Sequence, residues 1–215
     1  MTVESARPAS PAAARLDWRA LCLDLAERGF VFLLMILFAI RIAPSMGSDA
    51  CNILIAISEG LSAILILTRR PGPVLASPYA WAISIAGTCA PLLVAPDGLR
   101  LVPGTAPLVL MAVGLAFSIS AKLFLRRSFG MLPANRGVQL GGPYRFVRHP
   151  MYAGYALTHL GFLVSSFGPR NLAAYAICWT AMVLRIRAEE AILSSDPAYR
   201  AYAGAVRRRL IPGIW

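Results

Sequence analysis

The chain has 215 residues, of which 58% are hydrophobic and only 14% are charged. Soluble domains carry roughly a quarter charged residues, so this composition excludes an ordinary soluble domain and indicates a membrane protein. The net charge of +11 would suit a nucleic-acid partner, but the basic residues stand in short clusters between apolar runs. That distribution excludes nucleic acid as the partner and is typical of residues that set membrane topology.

The first 28 residues are rich in Ala, Pro and Arg and precede the first apolar run. We interpret residues 15–28, which alternate apolar and charged side chains, as a helix at the membrane interface. No cleavable signal peptide is expected, because no small-residue cleavage pattern follows the apolar run.

Six hydrophobic segments follow in the order 29–44, 50–68, 78–95, 104–125, 151–167 and 171–184. A spanning helix needs about 17 to 25 residues, so the first and sixth reach that length only if they extend through Arg41 or Arg185. We therefore predict an all-α, polytopic membrane protein with about six transmembrane helices. Its predicted parts are the tail and interfacial helix (1–28), a four-span region (29–125) and a C-terminal region with two further spans (126–215).

The basic residues predict that both termini are cytoplasmic. With six spans, the only Lys or Arg residues of the 21 that fall outside are Arg41, Arg100 and Arg170. The positive-inside rule expects such a bias. We expect a multi-pass protein of a bacterial inner membrane, in contact with membrane lipids, whose active site faces the cytoplasm.

The polar residues of the apolar runs are few. The cysteines, Cys22, Cys51, Cys89 and Cys178, form no CxxC pair, and with only two histidines no metal site is expected. We interpret the cysteines as small buried hydrophobic residues. Glu59 lies near the middle of the second segment, where it would contact a substrate head group or bond to a neighbouring helix.

The densest polar stretch, from Gly141 to Tyr155, reads GGPYRFVRHPMYAGY. Pro150 suits the first turn of a helix, where its missing N–H costs nothing, and the free N–H groups of that turn favour an anion. His149 stands beside this helix end, and Tyr152 would share its face. A membrane-interface anchor is the alternative, but the pattern favours a ligand site.

A second polar patch, residues 185–190, reads RIRAEE and continues the sixth segment into the cytoplasm. Arg185 and Glu189 are four residues apart and therefore share a helix face, which is also what a solvent-exposed ion pair would show. Because this patch and His149 are predicted at the same membrane surface, we expect them to form one pocket that binds an ammonium and a carboxylate.

The segments GPYRFVRHPMYAGY and EEAIL, followed by Tyr199, Tyr202 and a late Pro-Gly, together resemble the isoprenylcysteine carboxyl methyltransferase family. This family is related to the membrane phospholipid methyltransferases. The resemblance covers about residues 128–215. It implies a multi-span enzyme that binds S-adenosylmethionine on the cytoplasmic side, in a pocket built from its C-terminal part.

The resemblance also implies site residues. By this motif, the residues that line the cofactor site would be Tyr144, His149, Pro150, Met151 and Tyr152. Aligning the preceding loop without gaps adds four cofactor-contacting residues, Arg136, Gly137, Val138 and Gln139. If the family motif is aligned on EExxL, Glu189 is the acid that faces the cofactor and Arg185 is a substrate-side arginine. If it is aligned on Arg187 instead, the acid moves by one or two positions, so Glu190 is also a candidate. Arg136 stands where a histidine is usual and the extra spans of the animal enzymes are lacking, so specificity for prenylated proteins is not implied.

We therefore expect methyl transfer to a small lipophilic or lipid-like acceptor. A carboxylate acceptor needs no base, and Arg185 would orient it; an amine or thiol needs one, for which Glu190 and His149 are candidates. The alternatives are an NADPH-dependent membrane reductase of the sterol type, which has a similar histidine-proline segment, and a non-enzymatic transporter or sensor. The acceptor and the oligomeric state stay open.

Overall fold

The computed structural model describes residues 18–68, 77–125 and 140–210. These residues are mostly helical, and the only β-type pairing among them is an isolated bridge between Leu99 and Phe167. The α-helices of this described part are α1 (Trp18–Ile42), α2 (Ala50–Leu67), α3 (Pro78–Cys89), α4 (Ala106–Leu125), α5 (Pro150–Ser165), α6 (Pro169–Leu193) and α7 (Pro197–Ala205). Short 3-10 helices cover Ala43–Ser45, Ala90–Leu93 and Gly142–Arg145.

Each of the six predicted hydrophobic segments coincides with one of the helices α1 to α6. Helix α1 is unbroken over 25 residues, so the predicted interfacial helix and the first apolar segment form one helix. Helix α6 also has 25 residues and runs through Arg185. At 1.5 Å of rise per residue, each of these helices exceeds the roughly 30 Å of a bilayer's hydrocarbon core. In both α1 and α6, charged residues mark where the apolar run stops, but the helix continues past that point.

Two of the described helices, α2 and the Ala106–Phe124 part of α4, are long and apolar enough to cross a membrane by length and composition. Helices α3 and α5 are shorter, with 12 and 16 residues. The outward faces of α1 and α2 carry exposed apolar side chains such as Phe32, Ile40 and Ile64. Such an exposed apolar surface is what a lipid-facing helix presents.

Helices α4 and α5 pack backbone to backbone, which positions the start of α5. A Cβ added at Gly114 would lie 2.6 Å from the Thr158 nitrogen and 2.7 Å from the Gly154 oxygen. One added at Gly154 would lie 2.5 Å from the Ser118 nitrogen. Small residues that let helix backbones approach are typical of packing in membranes.

At the opposite end of the bundle, side chains secure the segment after α3. Asn171 accepts a hydrogen bond from the Ala95 N–H and donates to its carbonyl, at 2.9 and 2.7 Å. Arg41 donates to the carbonyls of Leu92 and Val94. Polar groups that lack water are thus satisfied within the protein, as burial requires.

The cysteines follow the expectation except at one position. Cys51, Cys89 and Cys178 are buried, but Cys22 is exposed, and all four are free thiols. The interpretation of Cys22 as a buried residue was wrong because the first turns of α1 have little protein packed against them. Trp18 and Leu25 in the same turns are 66% and 58% exposed.

Candidate functional site

The Gly-Pro-Tyr-Arg turn and the start of α5 follow the expected local chemistry. Gly142 has a φ of +57°, a region that L side chains rarely adopt, and a Cβ there would come within 2.4 Å of the Phe124 ring. His149 is the N-cap residue of α5 and Pro150 its first residue, as predicted. Close packing of Gly142 on Phe124 and of α5 on α4 therefore fixes where His149 stands.

Glu190 is the centre of a buried cluster of charged groups. Its carboxylate lies 3.0 Å from Arg148 Nη2, 2.7 Å from Arg209 Nε and 3.2 Å from His149 Nε2. Burial raises the pKa of Glu190, but the bonds from His149 and Arg209 and the charge of Arg148 outweigh it and lower the pKa to about 2. Glu190 is therefore an ionised hydrogen-bond acceptor with its oxygens occupied.

Glu189 is the more accessible of the two acids, with its side chain 22% exposed. Tyr152 donates its hydroxyl to Glu189 Oε1 at 2.7 Å. His149 Nδ1 lies 3.7 Å from the other oxygen, and Arg185 Nη2 lies 3.9 Å from Oε1. The two polar patches are thus in contact, while the pocket for an ammonium and a carboxylate stays a prediction.

Arg185 connects this contact to the interior. It is buried, and its guanidinium lies 5.5 Å from the centre of the Tyr152 ring. Its Nε has no hydrogen-bond partner among the described residues. A buried guanidinium N–H without a partner is costly, and it suits a bound anion or carbonyl oxygen.

The segment after α7 completes the cluster around Glu190. The N–H groups of Arg148 and His149 donate to the carbonyls of Arg208 and Arg209, each at 2.9 Å. Tyr202, on α7, donates its hydroxyl to the Tyr144 carbonyl at 2.7 Å. Burial raises the pKa of Tyr202 to about 12, against the lowering effect of Arg148, so this hydroxyl keeps its proton at neutral pH.

A cavity of about 540 Å³, including the space open to its surroundings, lies between α2, α3, α5 and α6. Most of the surface that faces the cavity is apolar, and Ile66, Pro91, Met151 and Met182 contribute to it. The polar residues of the lining are Glu59, Ser62, Thr88, Tyr152, Tyr155, His159 and Arg185, with the thiol of Cys178 beside them. Apolar surface with convergent polar groups is typical of small-molecule sites.

The structure brings most of the predicted site residues together. Tyr144, His149, Pro150, Met151, Tyr152, Arg185, Glu189 and Glu190 lie around the contact between the two patches or line the cavity beside it. Residues Arg136, Gly137, Val138 and Gln139 lie outside the described residues.

Sequence reasoning missed three residues of this region. Arg148 and Arg209 were counted only as basic residues, although both contact Glu190. His159 was not singled out, although its Nε2 lies 3.3 Å from Glu59 Oε1. Its signal was available, because a polar residue inside an apolar run seven positions after Tyr152 shares that residue's helix face.

Comparison with known families agrees with the motifs. A sequence model described as the isoprenylcysteine carboxyl methyltransferase (ICMT) family matches residues 105–195. The match spans α4, α5 and α6 in full, and it includes His149, Arg185 and both acids. It confirms the suspected family resemblance for that part of the chain. Enzymes of this family are membrane methyltransferases and generally use S-adenosylmethionine. No curated protein matches the chain significantly.

Proposed function

Because the match over residues 105–195 implies membrane methyltransferase activity, we propose that this chain transfers a methyl group from S-adenosylmethionine to a small lipophilic or lipid-like acceptor. The acceptor carries a carboxylate, thiol or amine, and the reaction takes place at the cytoplasmic membrane face. The observation that carries the proposal is the contact of Tyr152 and Arg185 with Glu189 beside an apolar cavity.

The chemistry of the cluster fits the amino-acid end of S-adenosylmethionine. Glu189 has an accessible carboxylate for an ammonium group, and its hydrogen bond from Tyr152 holds it in place. The unpartnered N–H of Arg185 suits a carboxylate. Arg148 and Arg209 pair with Glu190, so Arg185 is the guanidinium that we assign to an anionic group of the ligand.

The two acids differ in what they can do. Glu190 is held ionised by its cationic neighbours, and a carboxylate with a pKa of about 2 is a weak base. We assign it the role of positioning His149 and Arg148, while Glu189 contacts the cofactor. If the acceptor requires a base, His149 remains the candidate, because its ring lies between the two acids.

We assign the cavity to the acceptor. Helix α2 packs on α1, α4 and α5, and α3 packs on α6, but α2 and α3 make few direct contacts with each other. The side of the cavity between α2 and α3 is therefore the least closed. A lipophilic molecule would enter there from the membrane, while the polar cofactor approaches from the cytoplasm. In this proposal the chain has six spans, and both of its termini lie in the cytoplasm.

The chain's own residues mainly orient and enclose the reactants. S-adenosylmethionine, when bound, supplies an electrophilic methyl group on a sulfonium. Glu189 lies at the hydroxyl end of the Tyr152 ring and Arg185 lies over the ring, where both can hold polar groups of a ligand. Aromatic faces attract a sulfonium by a cation–π interaction. Holding nucleophile and methyl in a near-attack geometry can supply several kcal/mol of the barrier.

Calorimetry on the purified protein tests the proposal. We expect saturable binding of S-adenosylmethionine, a loss of at least about tenfold in affinity for Glu189→Gln, and no binding of NADPH. Binding of NADPH without S-adenosylmethionine would instead support the reductase alternative. Absence of S-adenosylmethionine binding to the wild-type protein would overturn the proposal.

A further inference from the structure

A second polar contact lies deeper in the cavity than the motif residues. Glu59 on α2 and His159 on α5 are 5% and 2% exposed, and Glu59 Oε1 lies 3.3 Å from His159 Nε2. Both residues line the cavity. Burial of a charge or a hydrogen-bonding group is unfavourable unless it is paired, and a buried pair adds little to stability over an apolar one. Ionisable groups at such depth therefore indicate function.

Groups from α2, α4, α5 and α6 lie around this pair. The His159 ring stacks on Tyr175 of α6 at 4.6 Å and on Tyr155 of its own helix at 6.1 Å. Its Nδ1 lies 4.0 Å from Cys178 Sγ. From α4, Lys122 donates to Ser62, whose hydroxyl lies 3.2 Å from that of Tyr155. The imidazole is thus fixed in plane and in distance relative to the Glu59 carboxylate.

The depth of the pair follows from helix geometry. Tyr152 and His159 are seven residues apart on α5, and Arg185 and Cys178 are seven apart on α6. Two turns of helix correspond to about 10 Å. The cavity therefore has one polar end, at Tyr152 and Arg185, and a second one about 10 Å away, at Glu59 and His159.

We propose that the Glu59–His159 pair is a specificity site that recognises a hydrogen-bond donor at the far end of a short acceptor. The inference rests on the proposed function and narrows its substrate class. The acceptor has an apolar body of about 10 Å, a nucleophile held near Arg185, and a hydroxyl or ammonium group that donates to Glu59. A long hydrocarbon chain does not match a cavity that is polar at this depth.

Binding of eight-carbon probes tests the inference without methyl transfer. The probes are octanoate, 8-hydroxyoctanoate and 8-aminooctanoate, measured by calorimetry on the wild-type protein in detergent. We expect at least one of the two donor-bearing probes to bind about tenfold more tightly than octanoate, which is the range of one hydrogen bond to a charged group. Which of them is preferred distinguishes a hydroxyl from an ammonium.

Variants separate recognition from packing. Glu59→Leu/His159→Phe replaces the pair by apolar side chains of similar size, a change that buried pairs often tolerate. It should abolish the preference, whereas Ser58→Ala, at a buried position outside the cavity lining, should retain it. If the double variant does not fold, Glu59→Gln decides: its loss of the carboxylate should reduce the preference at least threefold.

Equal affinity of the wild-type protein for all three probes would overturn the inference. An undiminished preference in the double variant, or in Glu59→Gln, would also overturn it and leave the pair as a packing contact. Calorimetry with S-adenosylmethionine on the same samples keeps the two proposals apart. If the cofactor binds but no probe is preferred, only the proposed specificity site is refuted. If a probe is preferred but the cofactor does not bind, only the proposed methyltransferase activity is refuted.

Discussion

At the scale of residues, adjacent acids on one helix have different environments. Glu190 is enclosed by Arg148, His149 and Arg209, whereas Glu189 keeps an accessible face and receives the Tyr152 hydroxyl. Helix geometry alone separates them, because consecutive residues point about 100° apart. One acid can therefore hold the site together while its neighbour contacts a ligand.

The low pKa of Glu190 predicts acid-sensitive stability. Its pKa is lowered in the folded protein from 4.5 to about 2, so its stabilising contribution is present above pH 4.5 and is lost as the pH falls towards 2. We expect the thermal midpoint of the wild-type protein in detergent to fall over this range. Glu190→Gln should start from a lower midpoint at pH 7 and vary less below pH 4.5; parallel curves for the two proteins would contradict this assignment.

Tyr152→Phe should weaken cofactor binding without unfolding the protein. It removes the hydroxyl that holds Glu189 at 2.7 Å and keeps the ring below Arg185. We expect the dissociation constant for S-adenosylmethionine to rise about five- to tenfold in calorimetry. Tyr155→Phe is the matched control, because the hydroxyl of Tyr155 bonds to Ser62 inside the cavity instead. An equal loss in both variants would refute a specific role of Tyr152.

At the scale of helices, the contact of α4 with α5 determines whether the site can form. Helix α5 carries His149 at its start and Tyr152 one turn later, and its position depends on backbone contact at Gly114 and Gly154. The residues that hold the site thus include glycines with no chemistry of their own.

Gly114→Ala should therefore destabilise the fold. The added methyl would overlap the backbone of α5, and overpacking of this kind costs about 1 to 3 kcal/mol. We expect a thermal midpoint several degrees lower, with weaker S-adenosylmethionine binding. Gly29→Ala is the control, because no described atom outside the adjoining backbone of α1 lies within 4 Å of a Cβ at that position; it should be neutral or stabilising. A stable Gly114→Ala protein would contradict the close packing.

Sequence reasoning located the helices better than their ends. Apolar runs correspond to α1 to α6 because hydropathy and helix formation coincide in their middles. The apolar pattern begins after Arg28 and ends before Arg185, but helices α1 and α6 continue through both residues. The contact of Arg209 with Glu190 joins residues 19 positions apart, and the partner of Glu59 lies 100 positions away. Neither contact can be read from local sequence patterns. The contact of the two motif patches was predictable, because the resemblance and the predicted topology both place them at the same membrane surface.

At the scale of the whole molecule, the proposed topology has a direct test. We expect a reporter that is active only in the cytoplasm to be active when fused to either terminus or inserted in the segment 126–139. The same reporter inserted at Asp97 should be inactive, because the segment after α3 would lie on the opposite side. Activity at Asp97 together with activity at the termini would contradict the six-span arrangement.

The weak contact between α2 and α3 determines which concentration of acceptor is relevant to this protein. If the acceptor reaches its cavity through that side, the protein encounters it as a solute of the bilayer and not of water. The rate should then follow the mole fraction of acceptor in the lipid. Added inert lipid should slow turnover at a constant total amount of acceptor, and two membranes that dissolve the acceptor differently should give different apparent affinities for one unchanged site.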